Sequence, residues 1–487
     1  MLGCGASGQA AARLLLGRGY AVTVLDGAAE ERIGEAAAAL RALGATVLCG
    51  EAAVLPKECL RRKNHATDKN VCATICCVSP GIAWDAAWCG EAAARGAEVV
   101  AELEVGARAL AEAGVAMVAV TGSKGKSSVV KLIADTLALS GRSAVACGNY
   151  GTALCDVALK YVGASSSVHQ DTPVGADLCV RPGEGAHAGA PLRASATMVA
   201  VVECSSFQLE GVRGFRPRVA AVLNVSADHL DRHGSISRYR DIKLRVFESQ
   251  GEGDVALLPS GDDPYGIREA FGRLYPGRRY ESFGVEAEAA WRYGEGRVTG
   301  GGVCVDVGGT YFDNAVLGRA AAAAVAVLCH AGLSAEEIEA GFRRFVPLPH
   351  RMQCVGMLQG VTYINDSKAT SFAAQLAALS MVKAPVRLIA GGRLKEREIP
   401  PVKKLVTSGV VKVYLIGECA SVLMKEWGDG VGAEICGTLE QAVERAARDA
   451  HPGETVLLSP GTASFDQFTN YQERGDVFTR WMERKNQ

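Results

Sequence analysis

The stretch Val115-Ala-Met-Val-Ala-Val-Thr-Gly-Ser-Lys-Gly-Lys-Ser-Ser128 determines the architecture that we predict for this chain. Its apolar first half predicts a buried strand at 115–120, and the residues from Ser128 to Ser140 predict a helix. Between them, glycines let the backbone wrap a phosphate, Lys126 places a cation on the β and γ oxygens, and the Ser127 hydroxyl can reach Mg²⁺. A structural turn is the alternative. The predicted nucleotide-binding residues are Gly122, Ser123, Lys124, Gly125, Lys126, Ser127 and Ser128.

A second glycine-rich turn lies at the start of the chain, where Gly3 to Gly8 reads GCGASG. A helical stretch at 9–18 and a strand at 21–25 follow it, and Asp26 stands where a ribose-binding acid is expected. A nicotinamide cofactor, another diphosphate and a purely structural turn all fit this pattern. Because the chain also has the nucleotide loop, we favour two phosphate ligands, ATP and a nucleotide-carrying substrate.

Only Met1 and Leu2 precede this turn. In this fold, a strand of roughly five apolar residues should anchor a glycine-rich phosphate turn. We therefore expect the start of the first strand to be missing from the chain. Its neighbours would keep unpaired backbone groups, so we expect a loose N-terminal domain and weaker affinity for the nucleotide-carrying substrate, with ATP binding spared.

Alternating strand and helix patterns along the 487 residues predict an α/β fold with three domains in series. The boundaries that we predict are a Rossmann-like N-terminal domain at 1–113, a P-loop ATPase-type central domain at 114–346 and a Rossmann-like C-terminal domain at 347–487. Further strands are expected at 197–202, 219–225, 361–365, 386–390, 411–416 and 455–458, the last four in a doubly wound parallel sheet. Polar stretches at 56–70 and 163–193 indicate a surface loop and an insertion.

Composition and charge argue against several functional classes. Lys plus Arg total 52 and Asp plus Glu total 53, so no excess of positive charge is present to hold a nucleic acid or an anionic membrane. No apolar run reaches the roughly twenty residues needed to cross a bilayer, and no signal peptide is recognised. We expect a cytoplasmic protein whose 16 cysteines are reduced thiols. The cluster Cys72, Cys76 and Cys77 lacks a second pair at zinc-ligand spacing.

Polar residues follow two strands of the predicted central domain. Glu203 lies in ECSSFQLE, and Asp228 and His229 lie in NVSADHLDRH. Mg²⁺ prefers oxygen ligands, and an ATP site needs a carboxylate near the phosphates. His229 is therefore a candidate ligand, with a buried structural histidine as the alternative. Lys243, in RDIKLRVF, is by its pattern alone a solvated helix lysine.

Nine motifs occur in the order found in Mur ligases: GSKGKSS, CGNYGTAL, ECSSFQLE, NVSADHLDRH, the lysine of DIKLRVFE, LPHRMQ, INDSKATS, AGGRLK and LLSPGTASFDQFTNYQERG. The chain resembles this family over nearly its whole length, and folylpolyglutamate synthetase shares the first six places. INDSKATS and SPGTASFDQF are similar to the member that adds D-glutamate. The resemblance implies a monomeric, ATP-dependent amide ligase of peptidoglycan synthesis. It would use two Mg²⁺ ions and join D-glutamate to UDP-N-acetylmuramoyl-L-alanine through an acyl phosphate.

The resemblance also implies roles for single residues. Lys126 and Ser127 would hold the ATP phosphates and one Mg²⁺, with Glu203 on the metal, while His229 and a carbamylated Lys243 would hold the second ion. The implied catalytic residues are Lys126, Asn149, Glu203, His229, Lys243 and Lys368. The implied nucleotide contacts outside the loop are Asn314, Arg351 and Asp366. The implied acyl-phosphate and D-glutamate pocket comprises His350, Lys368, Thr370, Lys395, Ser464 and Phe465. The implied UDP-substrate contacts are Ser7, Gly8, Asp26, Ser79, Asn149, Ser206, Gln208 and His229.

Three positions depart from the family pattern. Asp26 is followed by Gly27, Ala28 and Ala29, where a polar or basic residue that contacts uracil is usual, and Arg32 is a candidate substitute for that contact. Leu317 replaces the second asparagine of the nucleotide motif that begins at Asn314, and Lys124 replaces an asparagine in the loop. The alternatives are another ligase of the family, such as folylpolyglutamate synthetase, a nicotinamide-dependent oxidoreductase and a catalytically inactive relative.

Overall fold

The structure is a computed structural model that describes residues 1–55, 74–165, 198–314, 316–382, 385–395 and 398–486. The predicted surface loop at 56–70 and residues 166–193 of the predicted insertion lie outside these ranges. The chain forms two compact units, Met1–Asp313 with Leu317–Phe345, and Asn314–Val316 with Val346–Gln487. The predicted boundaries of the three domains remain predictions.

The first unit alternates strands and helices. Its strands are β1 Thr23–Asp26, β2 Thr46–Cys49, β3 Ile75–Val78, β4 Glu98–Ala101, β5 Ala116–Thr121, β6 Ala144–Gly148, β7 Val199–Glu203, β8 Val219–Val222, β9 Val255–Pro259, β10 Glu281–Gly284, β11 Trp291–Gly294, β12 Arg297–Gly300 and β13 Val303–Asp306. Its helices are α1 Ala6–Gly17, α2 Glu30–Ala42, α3 Ala87–Ala94, α4 Glu102–Glu112, α5 Lys126–Leu139, α6 Leu154–Ser165, α7 Ser206–Leu209, α8 Leu230–His233, α9 Ile236–Leu244, α10 Ile267–Leu274, α11 Gly318–His330 and α12 Ala335–Arg344.

Leu2 occupies a central position among the N-terminal strands. It forms parallel bridges with Leu25 of β1 and with Val78 of β3, while β1 pairs with β2 and β3 pairs with β4. The Leu2 N–H donates to the Cys77 carbonyl at 2.7 Å, and the Gly3 N–H donates to the Leu25 carbonyl at 2.7 Å. The expected unpaired backbone groups are therefore not found at these positions, although Leu2 forms isolated bridges and residues 1–3 form no regular strand.

The large sheet of the first unit places β5 between strands that carry polar residues at their ends. The described strands follow the order β13-β12-β11-β10-β9-β8-β5-β7-β6. β5 pairs in parallel with β7 and β8, and β6 pairs in parallel with β7. Val118 and Val120 of β5 pack in a core with α5 and α11, and Met117 and Ala119 pack in the core on the other face. The loops after these four strands therefore meet at one sheet edge.

The second unit contains a six-stranded sheet in the order β14-β15-β19-β16-β17-β18 within the described residues. Its strands are β14 Gln353–Leu358, β15 Val361–Asn365, β16 Val386–Gly391, β17 Val410–Ile416, β18 Gly432–Gly437 and β19 Thr455–Leu458, and its helices are α13 Phe372–Met381, α14 Val402–Thr407, α15 Ala420–Trp427, α16 Leu439–Asp449 and α17 Tyr471–Asn486. β14 runs antiparallel to β15, and the other pairs are parallel. The loops after β15 and β19 are neighbours at the carboxyl edge.

The α/β class predicted from the sequence is confirmed, with differences in detail. The strand predicted at 219–225 ends at Val222, and α5 begins at Lys126, two residues before its predicted start. The antiparallel pairs of β11 with β12 and of β12 with β13 were not predicted, and the C-terminal sheet is mixed because of β14. Within the described ranges, no helix is long and apolar enough to cross a membrane.

Candidate functional site

The glycine-rich loop after β5 is the centre of the candidate site in the first unit. Gly125 caps α5 in the left-handed conformation, with φ 85°, which a glycine adopts without a steric penalty. A Cβ at Gly122 would meet the Leu223 side chain at 3.1 Å and the Asn224 backbone at 3.3 Å, so the loop lies close to the end of β8. The loop leads directly into the N-terminus of α5. Backbone N–H groups and the helix dipole at such a terminus favour an anion.

Asn224 and Tyr239 hold this loop in place, and neither was predicted to do so. The Asn224 Oδ1 accepts hydrogen bonds from the N–H groups of Ser123 at 3.1 Å and Lys124 at 2.9 Å. The Ser123 hydroxyl donates to the Ser226 carbonyl at 3.2 Å and lies 3.2 Å from the Tyr239 hydroxyl. Asn224 is the first residue of the NVSADH motif, and its position in that motif was the signal from which its contact with the loop could have been predicted.

Lys126 and Lys243 share one backbone acceptor. The Lys126 Nζ donates to the Gly122 carbonyl at 2.9 Å and to the Ser123 carbonyl at 3.2 Å, and the Lys243 Nζ donates to the same Gly122 carbonyl at 2.8 Å. Lys243 is 1% exposed, on α9, and lies over the Tyr239 ring. The prediction, made from the pattern alone, that Lys243 is a solvated helix lysine is therefore wrong. Burial, and next the charge of Lys126, lower the pKa of Lys243 from 10.5 to about 7.

Glu203 ends β7 beside the loop, with Asn149 next to it. The Asn149 side chain donates to the Glu203 Oε1 at 2.7 Å, and the Asn149 N–H donates to the Glu203 carbonyl at 2.9 Å. Glu203 is 2% exposed, and among the residues that the structure describes its buried Oε2 has no hydrogen-bond partner. A Cβ at Gly148 would lie 2.4 Å from the Glu203 carbonyl, so only glycine allows this approach. An unpartnered carboxylate oxygen is available to a cation.

His229 lies in the loop between β8 and α8. Its φ is 51°, its side chain is 47% exposed, and its ring contacts Phe207 at 4.9 Å between centroids. The partly exposed ring argues against the alternative of a fully buried structural histidine. Its Nε2 lies 3.6 Å from the Asp228 carboxylate.

The residues at this sheet edge fit a divalent cation only in combination with other ligands. In the described part of the chain, no group of three or more His, Cys, Asp and Glu side chains is arranged to hold a metal ion. Glu203 nevertheless offers a buried, unpartnered oxygen. A hydroxyl from Ser127, phosphate oxygens and a modified Lys243 would be needed to complete a shell of oxygen ligands.

The N-terminal turn packs around Ser79 and Asp26. The Asp26 carboxylate accepts hydrogen bonds from the Cys4 N–H at 2.6 Å and the Ala28 N–H at 2.8 Å, and the Ser79 hydroxyl donates to the Gly3 carbonyl at 3.3 Å. A Cβ at Gly8 would lie 2.0 Å from the same carbonyl, so α1 approaches the turn closely. Ser7 lies in the first turn of α1 and is half-buried. This geometry suits a phosphate at the helix N-terminus, and Arg32 is exposed on α2.

Ser206 and Gln208, predicted to contact the UDP substrate, are both buried on α7. The Ser206 hydroxyl lies 3.0 Å from the buried His233 Nε2. The Gln208 side chain accepts from the Ser205 N–H at 3.0 Å and completes a capping box at the start of α7. Gln208 therefore has a structural role as a cap, and its substrate role remains a prediction.

In the second unit, Asp366 and His350 lie beside the end of β15. Asp366 accepts hydrogen bonds from the Ser459 hydroxyl at 2.9 Å and the Met352 N–H at 3.1 Å, and burial raises its pKa from 3.8 to about 7. The His350 Nδ1 lies 3.2 Å from the Asn365 side-chain nitrogen. Burial lowers the pKa of His350 below its ordinary value, and the backbone of this residue is left-handed, with a φ of 62°.

The loops after β15 and β19 bring several predicted pocket residues together. The Lys368 Nζ donates to the Tyr471 hydroxyl at 2.9 Å, a partner that was not predicted. Ser464 is buried, Phe465 is 58% exposed, and the Lys395 Nζ lies 5.9 Å from the Phe465 ring centroid. The remaining predicted residues of this unit are Thr370 and Arg351, both half-buried, and Asn314.

Two family models match the chain. The Mur ligase middle domain matches residues 120–305, and the Mur ligase glutamate ligase domain matches residues 350–461. The UDP-N-acetylmuramoylalanine–D-glutamate ligase of Nitratidesulfovibrio vulgaris is 35% identical over 98% of this chain and 94% of its own length. The ligases of the same name from Anaeromyxobacter dehalogenans and Myxococcus xanthus are 36% and 33% identical, over 99% of this chain and 96% and 97% of their own lengths.

Solved structures share the fold. The UDP-N-acetylmuramate–alanine ligase MurC of Thermotoga maritima superimposes with a TM-score of 0.53 at 14% identity, over 99% of this chain and 98% of its own. The MurF ligase of Thermotoga maritima, in complex with ADP, gives a TM-score of 0.52 at 16% identity, over 88% of this chain and 100% of its own. At these identities the likeness bears on the fold alone.

Proposed function

Because the chain belongs to the Mur ligase family, we propose that it couples ATP hydrolysis to the addition of D-glutamate to UDP-N-acetylmuramoyl-L-alanine in peptidoglycan precursor synthesis. The observation that carries this proposal is the similarity, over almost the full length, to three ligases named for D-glutamate. The motifs INDSKATS and SPGTASFDQF also support D-glutamate as the amino acid that is added. A cytoplasmic location agrees with substrates that are ATP and a UDP-linked sugar.

In the first step, the γ-phosphoryl group of ATP passes to the carboxylate of the L-alanyl residue. A carboxylate resists attack by an amine because oxide would have to leave, and the acyl phosphate provides phosphate as the leaving group. The loop backbone and Lys126 would bind the ATP phosphates. Bound Mg²⁺ would offset the negative charge between the two anionic reactants.

The residues that would hold Mg²⁺ are Ser127 and Glu203 for one ion, and His229 and a carbamylated Lys243 for the other. The unpartnered Oε2 of Glu203 supports the first assignment. A pKa of about 7 supports the second, because a large fraction of Lys243 is then a neutral amine near pH 7. A neutral amine would add CO₂ through a new N–C bond and release one N–H proton to solvent, and the resulting carbamate anion would supply an oxygen ligand. Asn149 donates a hydrogen bond to Glu203 and would orient that carboxylate.

In the second step, the amine of D-glutamate attacks the acyl carbon, a tetrahedral centre forms, and inorganic phosphate leaves as the amide bond is made. Positive groups near the developing oxyanion lower this barrier. We assign Lys368, Thr370, Ser464 and Phe465 to the D-glutamate pocket. Asp366 and Arg351 are assigned to the nucleotide, in agreement with the sequence motifs.

The test is a phosphate-release assay that contains ATP, Mg²⁺ and UDP-N-acetylmuramoyl-L-alanine. Release is expected with D-glutamate and not when Mg²⁺, the UDP substrate or D-glutamate is left out. L-glutamate at the same concentration is the matched control, because it differs only in configuration. Equal turnover with L-glutamate, or turnover with a folate acceptor in place of the UDP substrate, would refute the proposal.

A further inference from the structure

Arg474 lies in the first turn of α17 and is 1% exposed, which is unusual for a guanidinium group. Its Nε donates to the Ser367 hydroxyl at 3.0 Å, and its Nη2 donates to the Ser367 carbonyl at 2.9 Å. The same group donates to the carbonyls of Thr462 at 3.2 Å and Ala463 at 3.4 Å. All four acceptors are uncharged oxygens. One buried cation therefore connects three segments of the chain.

The two loops that Arg474 connects carry the residues assigned to the amino-acid pocket. Ser367 lies directly before Lys368 in the loop after β15, and Ala463 lies directly before Ser464 in the loop after β19. The Ser367 hydroxyl donates to the Tyr471 carbonyl at 2.8 Å, and the Tyr471 hydroxyl accepts from Lys368 at 2.9 Å. The spacing of the two loops and the direction of Lys368 therefore depend on the start of α17.

We propose that Arg474 is a positioning residue that sets the distance between the two loops of the D-glutamate pocket. This inference rests on the proposed D-glutamate ligation. The nucleotide end of the first loop is fixed separately, because Asp366 has its own hydrogen bonds from Ser459 and Met352. Loss of the hydrogen bonds of Arg474 should therefore raise the KM for D-glutamate more than the KM for ATP.

Arg387 provides a matched control within the same unit. It is 8% exposed, and its Nε donates to Glu454 at 2.6 Å while its Nη1 donates to the Tyr414 hydroxyl at 3.1 Å. It lies near the first residue of β16, at the amino edge of the sheet, whereas the pocket loops lie at the carboxyl edge. Arg387→Lys therefore disturbs a buried arginine of the unit without touching the loops.

The experiment compares steady-state kinetics and melting temperatures of wild type, Arg474→Lys and Arg387→Lys. Lysine keeps the charge but cannot make the forked set of bonds. Arg474→Lys is expected to raise KM for D-glutamate about tenfold, the loss that corresponds to one hydrogen bond from a charged donor. KM for ATP and for the UDP substrate should stay within about twofold, since no nucleotide contact is altered. Arg387→Lys should lower the melting temperature and leave all three KM values unchanged.

Three outcomes would overturn the inference: an unchanged KM for D-glutamate in Arg474→Lys, an equal rise of all three KM values, or the same rise in Arg387→Lys. If Arg474→Lys does not fold, Ser367→Ala removes one acceptor of the same guanidinium and should raise KM for D-glutamate severalfold. An unchanged KM in Ser367→Ala would then count against the inference. Failure of wild type to use D-glutamate at all is a separate result, which refutes the proposed function.

Discussion

Replacing Lys243 by methionine should stabilise the protein while abolishing its activity. Lys243 is buried beside Lys126, and its pKa falls from 10.5 to about 7. The folded protein therefore stabilises the protonated form of this amine less than water does. Methionine fills a similar volume without a charge. The Gly122 carbonyl keeps a donor in the variant, because the Lys126 Nζ also binds it at 2.9 Å.

The sign and size of the effect follow from proton linkage. An unfolded lysine stays protonated up to about pH 10.5, whereas folded Lys243 loses its proton near pH 7. The unfolded state therefore binds more protons between these values, and wild-type stability rises with pH across this window. Each tenfold change in the protonation equilibrium corresponds to about 1.4 kcal/mol. After a discount for relaxation around the charge, Lys243→Met should gain about 2 to 4 kcal/mol at pH 7.

The assay is urea unfolding of the magnesium-free protein in CO₂-free buffer at pH 7, 8.5 and 10, pH values chosen to span the window between about 7 and 10.5. The gain of Lys243→Met should be largest at pH 7 and should shrink as the pH rises. Lys160→Met, at an exposed lysine of α6, is the control and should show neither the gain nor its pH dependence. A lower urea midpoint for Lys243→Met, or a gain of the same size at pH 10, would refute the reasoning.

Further predictions concern the charges of the first unit. Lys126→Ala should abolish phosphate release with an unchanged circular dichroism spectrum, because it removes a positioned cation and no core packing; an unfolded variant would contradict this. Lys243→Ala should be nearly inactive and partly rescued by formate or acetate, and full activity without bicarbonate would contradict the carbamate. Burial raises the pKa of Glu102 from 4.5 to about 7, so the contribution of Glu102 to stability should fall as pH rises across that interval. Glu102→Gln should remove this contribution, so its urea midpoint relative to that of the wild type should rise across the same pH interval; an identical pH dependence of the two proteins would contradict the prediction.

The sequence predicted the loop after β5 well because the signal is local. A strand, a glycine turn and a helix within the span 115–140 leave few other arrangements, and the observed β5 and α5 match to within two residues. Glu203 was found by the same logic, because carboxyl ends of parallel strands share an edge. The burial of Lys243 could not be found this way. It depends on the Gly122 carbonyl, 121 residues away in the chain.

Arg474 shows the same limit, whereas the strands β11 to β13 were missed for a local reason. Arg474 stands among charged residues at the start of a helix, a pattern typical of a solvated face, and only the loops around Ser367 and Ala463 bury it. The short strands from Trp291 to Asp306 are rich in glycine and arginine, so their sequence gives no strong alternation. The burial of Arg474 arises from contacts between distant segments, whereas β11 pairs with β12 and β12 pairs with β13 through short turns between neighbouring strands. Sequence motifs identified the loops, but not what fixes their spacing.

The pairing of Lys126 with Lys243 connects stability to the proposed chemistry. Two amines that donate to one carbonyl repel each other when both are charged. This repulsion is removed if one of them loses its proton. Burial decides which one, because Lys243 is 1% exposed and Lys126 is only half-buried. The neutral amine is the form that adds CO₂, so the desolvation that destabilises the fold would also favour the proposed carbamate ligand. A more stable site at this position would therefore be a less reactive one.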